Sequence, residues 1–447
     1  MSGARGTALA ALLKVEVDAG YSNIVLDKAL AASGLSGRDR NLASALFYGV
    51  LERQMTLDAA LAPLSRRAFA KLDAAVRMVC RMGAYQIYYM DKIPDSAAVN
   101  ESVELVRMAG KSKAAGFVNG VLRNLLRQKA QAPFPPQGKN ELETRAIRYS
   151  CPAWLIERWD SAYGRELTDQ MMESLFSRPP LYARVNTVRT TRDALLNALR
   201  AEGIEASVVP WLPHAVALAH TGAVAQGECF QKGLFHVQDL ASQLCCLLLD
   251  AQPGERVYDV CAAPGGKTCT IAEGMCGEGT VYAFDLYKGK VRLIRQAAQR
   301  LGLSNVEAAQ RDAASAQNTL PPADRVLCDA PCSGFGILRR KPEIRYKSAE
   351  SIDSLPDLQY GILCKTASLV RPGGTLIYST CTLNPAENGE VAARFLREHP
   401  AFVPAPVQLP GGIHRIMDEP ANQLTLFPQV YDTDGFFISV FKKDGNP

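Results

Sequence analysis

The 12 cysteines include no CxxC pair, and the five histidines include no HExxH and no close pairing. The usual zinc spacings are therefore excluded, and no metal is expected. Apolar runs are short: "LCCLLL" at 244–249 stops far below a membrane span, so no membrane association is expected. The N-terminal "ALAALL" is followed at once by Lys14, Glu16 and Asp18. That is the pattern of an amphipathic helix and not of a secretion signal. The expected location is the cytoplasm, with reduced thiols. Nucleotide fingerprints are missing too. GxGxxG does not occur, and "GKT" at 266–268 would need a glycine at 261 to complete a P-loop, where Cys261 stands. No internal repeat is evident.

What is present is a chain of 447 residues, 47% hydrophobic, which is long enough for two or three domains. Its net charge of +5 is uneven: residues 1–150 hold 21 Lys/Arg against 13 Asp/Glu, and the remainder 29 against 32. A basic front half suits a polyanion-binding module, although a solvated helical surface explains the charge alone equally well. Residues 1–130 read as an all-α domain. In "DSAAVNESVELVRMAG", Asp95 and Ser96 supply capping residues and Val99, Val103 and Val106 one apolar face. "KSKAAGFVNGVLRNLLRQ" sets Phe117, Val121, Leu122 and Leu125 at helical spacing, opposite Lys111, Lys113, Arg123 and Arg127. The Pro-rich 131–141 reads as a linker, and 142–235 as a small α+β subdomain. From 236 to the C-terminus, short apolar strands alternate with helices. That pattern implies a doubly wound parallel sheet.

"DVCAAPGGKT", 259–268, follows a strand and opens a helix. Its small residues Cys261, Ala262, Ala263, Pro264, Gly265 and Gly266, followed by Lys267, let a ligand approach the backbone closely. Acids stand at three successive strand ends: Asp285, placed to grip ribose hydroxyls, Asp312, placed near an adenine amino group, and Asp329. A glycine-rich loop with these acids and no polyphosphate signature fits an adenosyl ligand, S-adenosylmethionine. Two cysteines lie just past apolar strands, Cys332 in "DAPCSGFGILRR" and Cys381 in "YSTCTLNPAENG". Cys245, Cys246, Cys261, Cys328 and Cys364 read as packing residues.

"CAAPGGKT", "DAPCSGFG", "RRKPEIRY", "YSTCTLNPAENG" and the closing "DGFF" occur in an order that resembles the RNA cytosine-carbon-5 methyltransferases. The front helices resemble the NusB-type domain of the bacterial 16S ribosomal RNA branch, the Sun or Fmu type. This likeness covers nearly the whole chain. It implies an all-α front domain, an RRM-like α+β middle and a Rossmann-like methyltransferase domain. It also implies Cys381 as nucleophile, Cys332 as the residue that helps release the adduct, and Asp329 as the group gripping the base. Position alone favours Cys332 as the attacking thiol, because DNA cytosine methyltransferases use the Pro-Cys cysteine. Arg339, Arg340 and Lys341, beside the active-site turn, are expected to hold phosphates, together with Lys111, Lys113, Arg123 and Arg127. The expected partner is 16S ribosomal RNA, free or in an early small-subunit particle, and the enzyme is expected to be a monomer. Transfer RNA is the alternative substrate, and a non-catalytic RNA-binding factor the alternative of another class. "FDLYKGKVRLI" and "QRDAAS" depart from the family pattern around Asp285 and Asp312.

Overall fold

The computed structural model describes residues 3–18, 20–219, 224–315 and 320–445. It forms two compact units, Met1–Phe176 with Leu338–Ala349, and Ser177–Ile337 with Glu350–Pro447.

The first unit is helical. Gly3–Asp18, Ser22–Ser33, Gly37–Glu52, Gln54–Leu61, Ala74–Tyr89, Asp95–Met108 and Ala115–Lys129 pack around Leu9, Leu46, Phe47, Val79 and Leu122. On the last of these helices Val118, Val121, Leu122 and Leu125 are buried, as the 3–4 spacing predicts, and Phe117 is half-buried. One expected detail differs. Asp95 is the first helical residue, Pro94 occupies the cap with no side-chain bond, and the Asp95 carboxylate pairs with Lys129 at 3.2 Å. Proline suits this end because the N–H it lacks would have no helical partner.

After the Pro-rich stretch, the helices Glu141–Tyr149, Ala153–Tyr163 and Arg165–Ser174 group with this unit. The first strand of the α+β subdomain expected over 142–235 is Leu181–Val185, beyond Phe176. The reason is local bonding. Ser150 Oγ accepts from the Met55 amide at 2.9 Å, Thr56 Oγ1 donates to the Ile147 carbonyl at 2.5 Å, and Arg145 bridges Asp160 and Asp169. Residues 338–349, which follow the Cys332 loop in sequence, also belong here. Glu343 accepts from the Ser22 amide at 2.9 Å, fully buried Arg345 donates to the Glu52 carbonyl at 3.2 Å, and the Tyr346 hydroxyl donates to the Leu51 carbonyl at 2.7 Å.

The second unit contains two sheets. Strands β1 (Leu181–Val185), β2 (Glu205–Val208), β3 (Ala215–Ala219) and β4 (Phe235–Val237) form an antiparallel sheet in the order β2-β3-β1-β4. The helix Arg192–Ala201 packs on it through Leu195 and Leu199. The larger sheet runs β10-β12-β9-β8-β5-β6-β7, with β11 paired to β12. Its members are β5 (Arg256–Asp259), β6 (Thr280–Asp285), β7 (Val306–Gln310), β8 (Ala323–Asp329), β9 (Val370–Thr380), β10 (Phe402–Pro404), β11 (Gln423–Leu426) and β12 (Phe436–Lys443). Strands β5 to β9 pair in parallel, while β10, β11 and β12 are antiparallel. The chain order reverses between β5 and β8, and ligands of doubly wound sheets bind at such a reversal, beyond the carboxyl ends of the strands. Asp259, Asp285, Asp329 and Thr380 end four of those strands.

Candidate active site

The loop after β5 turns directly into the helix Gly266–Gly274. Gly265 sits at φ +107°, and a Cβ there would lie 3.1 Å from Ile294 Cα. Only glycine combines that backbone with that proximity. Ala262 donates to the Phe284 carbonyl at 2.8 Å, which ties the loop to β6. Buried Gln238 accepts at Oε1 from Thr270 Oγ1 at 2.7 Å, while its Nε2 finds no hydrogen-bond partner among the described residues. A Cβ on Gly266 would stand 3.6 Å from that Nε2. An orphaned buried donor at a bare helix N-terminus fits a ligand carrying an acceptor group such as a carboxylate.

Lys267 turns inward and donates to Asp329 Oδ2 at 2.7 Å, while Ser379 donates to Asp329 Oδ1 at 2.8 Å. Burial by itself would lower the Lys267 pKa, but the Asp329 charge and hydrogen bond, together with the neighbouring Cys245 and Cys246, hold the amine above its ordinary value. Behind this pair, burial pushes fully enclosed Asp259 up to about 7, even though Thr268 donates to its Oδ2 at 2.7 Å. Asp285 is buried and caps its own turn, accepting from the Tyr287 amide at 3.0 Å. Asp312 is exposed at the rim. It accepts from the Ala314 amide at 2.9 Å and lines a small hollow with Val260, Phe284 and Lys365. The structure thus brings Lys267, Asp329 and Ser379 together and leaves Asp312 outside that cluster.

Cys332 and Cys381 face each other with Sγ atoms 3.2 Å apart. Strands β8 and β9 run side by side, Asp329 opposite Ser379, so the residues just past each strand meet. Hydrogen bonding from Cys332 pulls the Cys381 thiol below its ordinary range, against burial and the Asp329 charge and with help from Lys267. The same bond pushes Cys332 well above that range, and burial and the charges of Cys381 and Glu387 push it further. The two shifts run in opposite directions, and that favours Cys381 as the more readily ionised thiol of the pair. Two packing cysteines, Cys245 and Cys328, are each pushed by burial to about 12 and stay inert.

In Cys332→Ala, Cys381 loses the cause of its lowering and keeps the burial. Its alkylation by iodoacetamide is therefore expected to require a higher pH than in the unmodified protein. A midpoint that stays or moves to lower pH contradicts the assignment.

The loop geometry depends on a contact between two glycines. The Gly336 amide donates to the Cys381 carbonyl at 3.0 Å, and Gly435 donates to the Gly336 carbonyl at 2.8 Å. A Cβ on Gly336 would fall 1.8 Å from the Gly435 carbonyl oxygen, so "SGFG" and "DGFF" are the two halves of one close approach. Gly336→Ala is expected to cost about 3 kcal/mol or more of unfolding free energy, measured by urea denaturation.

Among the cations expected to meet phosphates, Arg339 is corrected: it is only 6% exposed, and its guanidinium is turned into the fold. Arg340 and Lys341 are half-buried, and Lys341 lies over the Tyr21 ring at 4.1 Å. The reason is that residues 338–349 pack into the helical unit, which a loop sequence does not reveal. Lys111 and Lys113 do line a groove of about 1150 Å³ in that unit, joined by Arg66 and Arg67, which the sequence reading missed. Arg123, bonded to Asn119 at 2.9 Å, and exposed Arg127 lie outside the groove lining. Lys111 is tied to Asp73 at 2.7 Å. The exposed glycines Gly110, Gly116 and Gly120 give this groove a floor of bare backbone.

Three family models match in chain order. They are the NusB family over residues 2–127, the RsmF/B-like ferredoxin-like domain over 151–225, and 16S rRNA methyltransferase RsmB/F over 246–442. The chain is 39% identical to the probable ribosomal RNA small subunit methyltransferase B of Bacillus subtilis, covering 99% of each chain. The chain belongs to this family of ribosomal RNA methyltransferases. The Synechocystis protein described in the same words is 36% identical over 99% of this chain and 100% of its own. The solved protein PH0851 matches with TM-score 0.85 at 26% identity, over 99% of this chain and 98% of its own. The methyl donor of this methyltransferase is S-adenosylmethionine. The turn at 261–267, the helix start behind it, Gln238 and Asp285 have the geometry and chemistry to hold it. Among the described residues, no helix is long and apolar enough to cross a membrane, and no cluster of three metal-ligating side chains occurs.

Proposed function

We propose that this methyltransferase modifies carbon 5 of a cytosine in 16S ribosomal RNA through a covalent adduct with Cys381. The observation that carries this reading is the pair of thiols 3.2 Å apart, with proton affinities pushed in opposite directions, beside the Lys267–Asp329–Ser379 cluster. Carbon 5 of cytosine is a poor nucleophile. Addition of the Cys381 thiolate to carbon 6 turns the ring into an enamine, and carbon 5 then becomes able to attack an electrophilic carbon. When bound, S-adenosylmethionine supplies that carbon as a sulfonium methyl. Asp329 holds the cytosine edge as charge shifts through the ring, and its orientation is set by Lys267 and Ser379. For release, the carbon 5 proton leaves to water, the double bond re-forms and the carbon 6–sulfur bond breaks. Cys332 donates its S–H to the departing thiolate across the 3.2 Å that separates the two sulfurs.

A base that must reach both thiol and methyl donor has to leave its stack, so a flipped-out or single-stranded cytosine is the substrate. The groove lined by Arg66, Arg67, Lys111 and Lys113 is the surface expected to follow an RNA backbone. Arg66→Ser with Lys113→Ser should weaken RNA binding and flatten the salt dependence of log K by about 0.7 per lost phosphate contact. An unchanged slope removes the groove from the RNA footprint.

The assignment is tested by transferring labelled methyl from S-adenosylmethionine to purified 16S RNA, transfer RNA and DNA, followed by nucleoside analysis. Label in 5-methylcytosine of 16S RNA supports it. Preference for transfer RNA moves the substrate, and label on another base or atom overturns the chemistry. If Cys381→Ala left every activity intact, the remaining reading would be a non-catalytic RNA-binding factor.

A further inference from the structure

Pro331, Cys332 and Ser333 form the turn that follows β8, and two side chains outside that turn hold it on both flanks of the cysteine. Gln359, on the helix Leu355–Ala367, donates Nε2 to the Pro331 carbonyl at 2.9 Å and to Glu387 Oε2 at 2.8 Å. The same Glu387 Oε2 accepts from the Ser333 amide at 2.8 Å, and Oε1 accepts from Asn384 Nδ2 at 2.8 Å. The carbonyl before Cys332 and the amide after it are thus tied to one another through a single side-chain pair. Gln359 and Glu387 are both 0% exposed. The Tyr378 hydroxyl, donating to the Glu387 carbonyl at 2.5 Å, holds the pair against β9.

Burying a carboxylate is costly unless its lone pairs are filled, and here three donors fill them. A carboxylate suits this place for two reasons. It accepts three bonds without presenting a donor of its own, and its charge opposes a second negative charge on the neighbouring Cys332.

We infer that Gln359 and Glu387 are positioning residues of the release step, clamping the Cys332 turn so that a protonated thiol faces the Cys381 sulfur. This rests on the covalent mechanism proposed above. During release the carbon 6–sulfur bond breaks and its electron pair stays on Cys381. The electrons of the carbon 5–hydrogen bond form the carbon 5–carbon 6 double bond, and the proton passes to water. Cys332 keeps its proton and lends it as a hydrogen bond to the leaving thiolate. A Cys332 that has swung away leaves that thiolate without a partner in a buried site.

The experiment uses the full chain with 16S RNA and S-adenosylmethionine. The RNA–protein adduct is allowed to form, excess unlabelled RNA is added, and decay of the adduct is followed on denaturing gels. Decay after the chase reports release whatever the rate of attack. Glu387→Gln and Gln359→Leu are each expected to slow decay by about 10- to 100-fold, the scale of misplacing a reacting group. Cys332→Ala, run in parallel, sets the limit for a blocked release. Gln359→Leu keeps the size and removes the donor, so it decides the matter if Glu387→Gln does not fold. Decay at the unmodified rate in a folded Gln359→Leu overturns the inference. An absence of any adduct in the unmodified protein and in Cys332→Ala alike, at pH 7 and at pH 9, overturns the covalent mechanism instead, so the two failures are distinguishable.

Discussion

Cys381→Ala is expected to abolish methyl transfer and adduct formation together, while Cys332→Ala accumulates an RNA–protein adduct. The asymmetry follows from the opposite shifts of two thiols 3.2 Å apart. Without Cys381 no group in the site adds to carbon 6, and loss of a nucleophile costs on the order of 10³-fold or more in turnover. Without Cys332 the remaining thiol ionises at higher pH but still reaches carbon 6. What it lacks is a donor at the moment the carbon–sulfur bond breaks, so the covalent complex outlives the gel. The measurement is a denaturing gel of protein, radiolabelled RNA and S-adenosylmethionine at pH 7 and pH 9. An adduct that needs Cys332 and persists in Cys381→Ala exchanges the two roles.

Lys267→Met is expected to lower unfolding free energy by about 3 kcal/mol and to reduce methylation severely. Lys267 and Asp329 form a 2.7 Å pair with side chains 13% and 26% exposed. Removing one member of such a pair strands the other charge, and that loss dominates over the modest net value of the pair itself. The stranded group is Asp329, whose charge disfavours the Cys381 thiolate that Lys267 favours. Stability and nucleophile activation should therefore fall together. Asp329→Asn in the Lys267→Met background should restore part of the stability, because the uncompensated charge is gone, but not the activity. Chemical denaturation and iodoacetamide alkylation at fixed pH read the two effects separately. An unchanged denaturation midpoint in Lys267→Met would show that Asp329 is solvated well enough to stand alone.

Much of the site was legible because its residues fall in motifs with their own chemistry. "CAAPGGKT" announces a close backbone approach, and the observed φ of +107° at Gly265 is that approach. "DAPCSG" and "YSTCT" each put a cysteine beyond an apolar strand, and parallel pairing of β8 with β9 made the two thiols neighbours. Less legible were the groups that act from outside the motifs. Gln359 sits in an ordinary amphipathic helix, and Gln238 in a strand-to-helix turn with no glycine signature. Nothing in either stretch states which way the amide points. Glu387 lay inside "NPAENG", but its role depends on Ser333, 54 residues away in sequence. The phosphate role given to Arg339 failed for a related reason: a charged loop reads as solvated until something packs over it.

The sequence by itself pointed to the class of chemistry, since small residues at a strand-to-helix turn, acids at strand ends and two post-strand cysteines stand in motifs whose order resembles one family of methyltransferases. It also determined the element order, because periodicities of 3.6 and 2 reflect local backbone geometry. Tertiary structure alone decided that Cys332 and Cys381 stand 3.2 Å apart, which basic residues face a groove and which are buried, and where the helical unit ends. Those outcomes depend on distances of a few ångströms between residues remote in the chain. Burial and electrostatic coupling vary steeply over such distances, and a linear sequence does not record them.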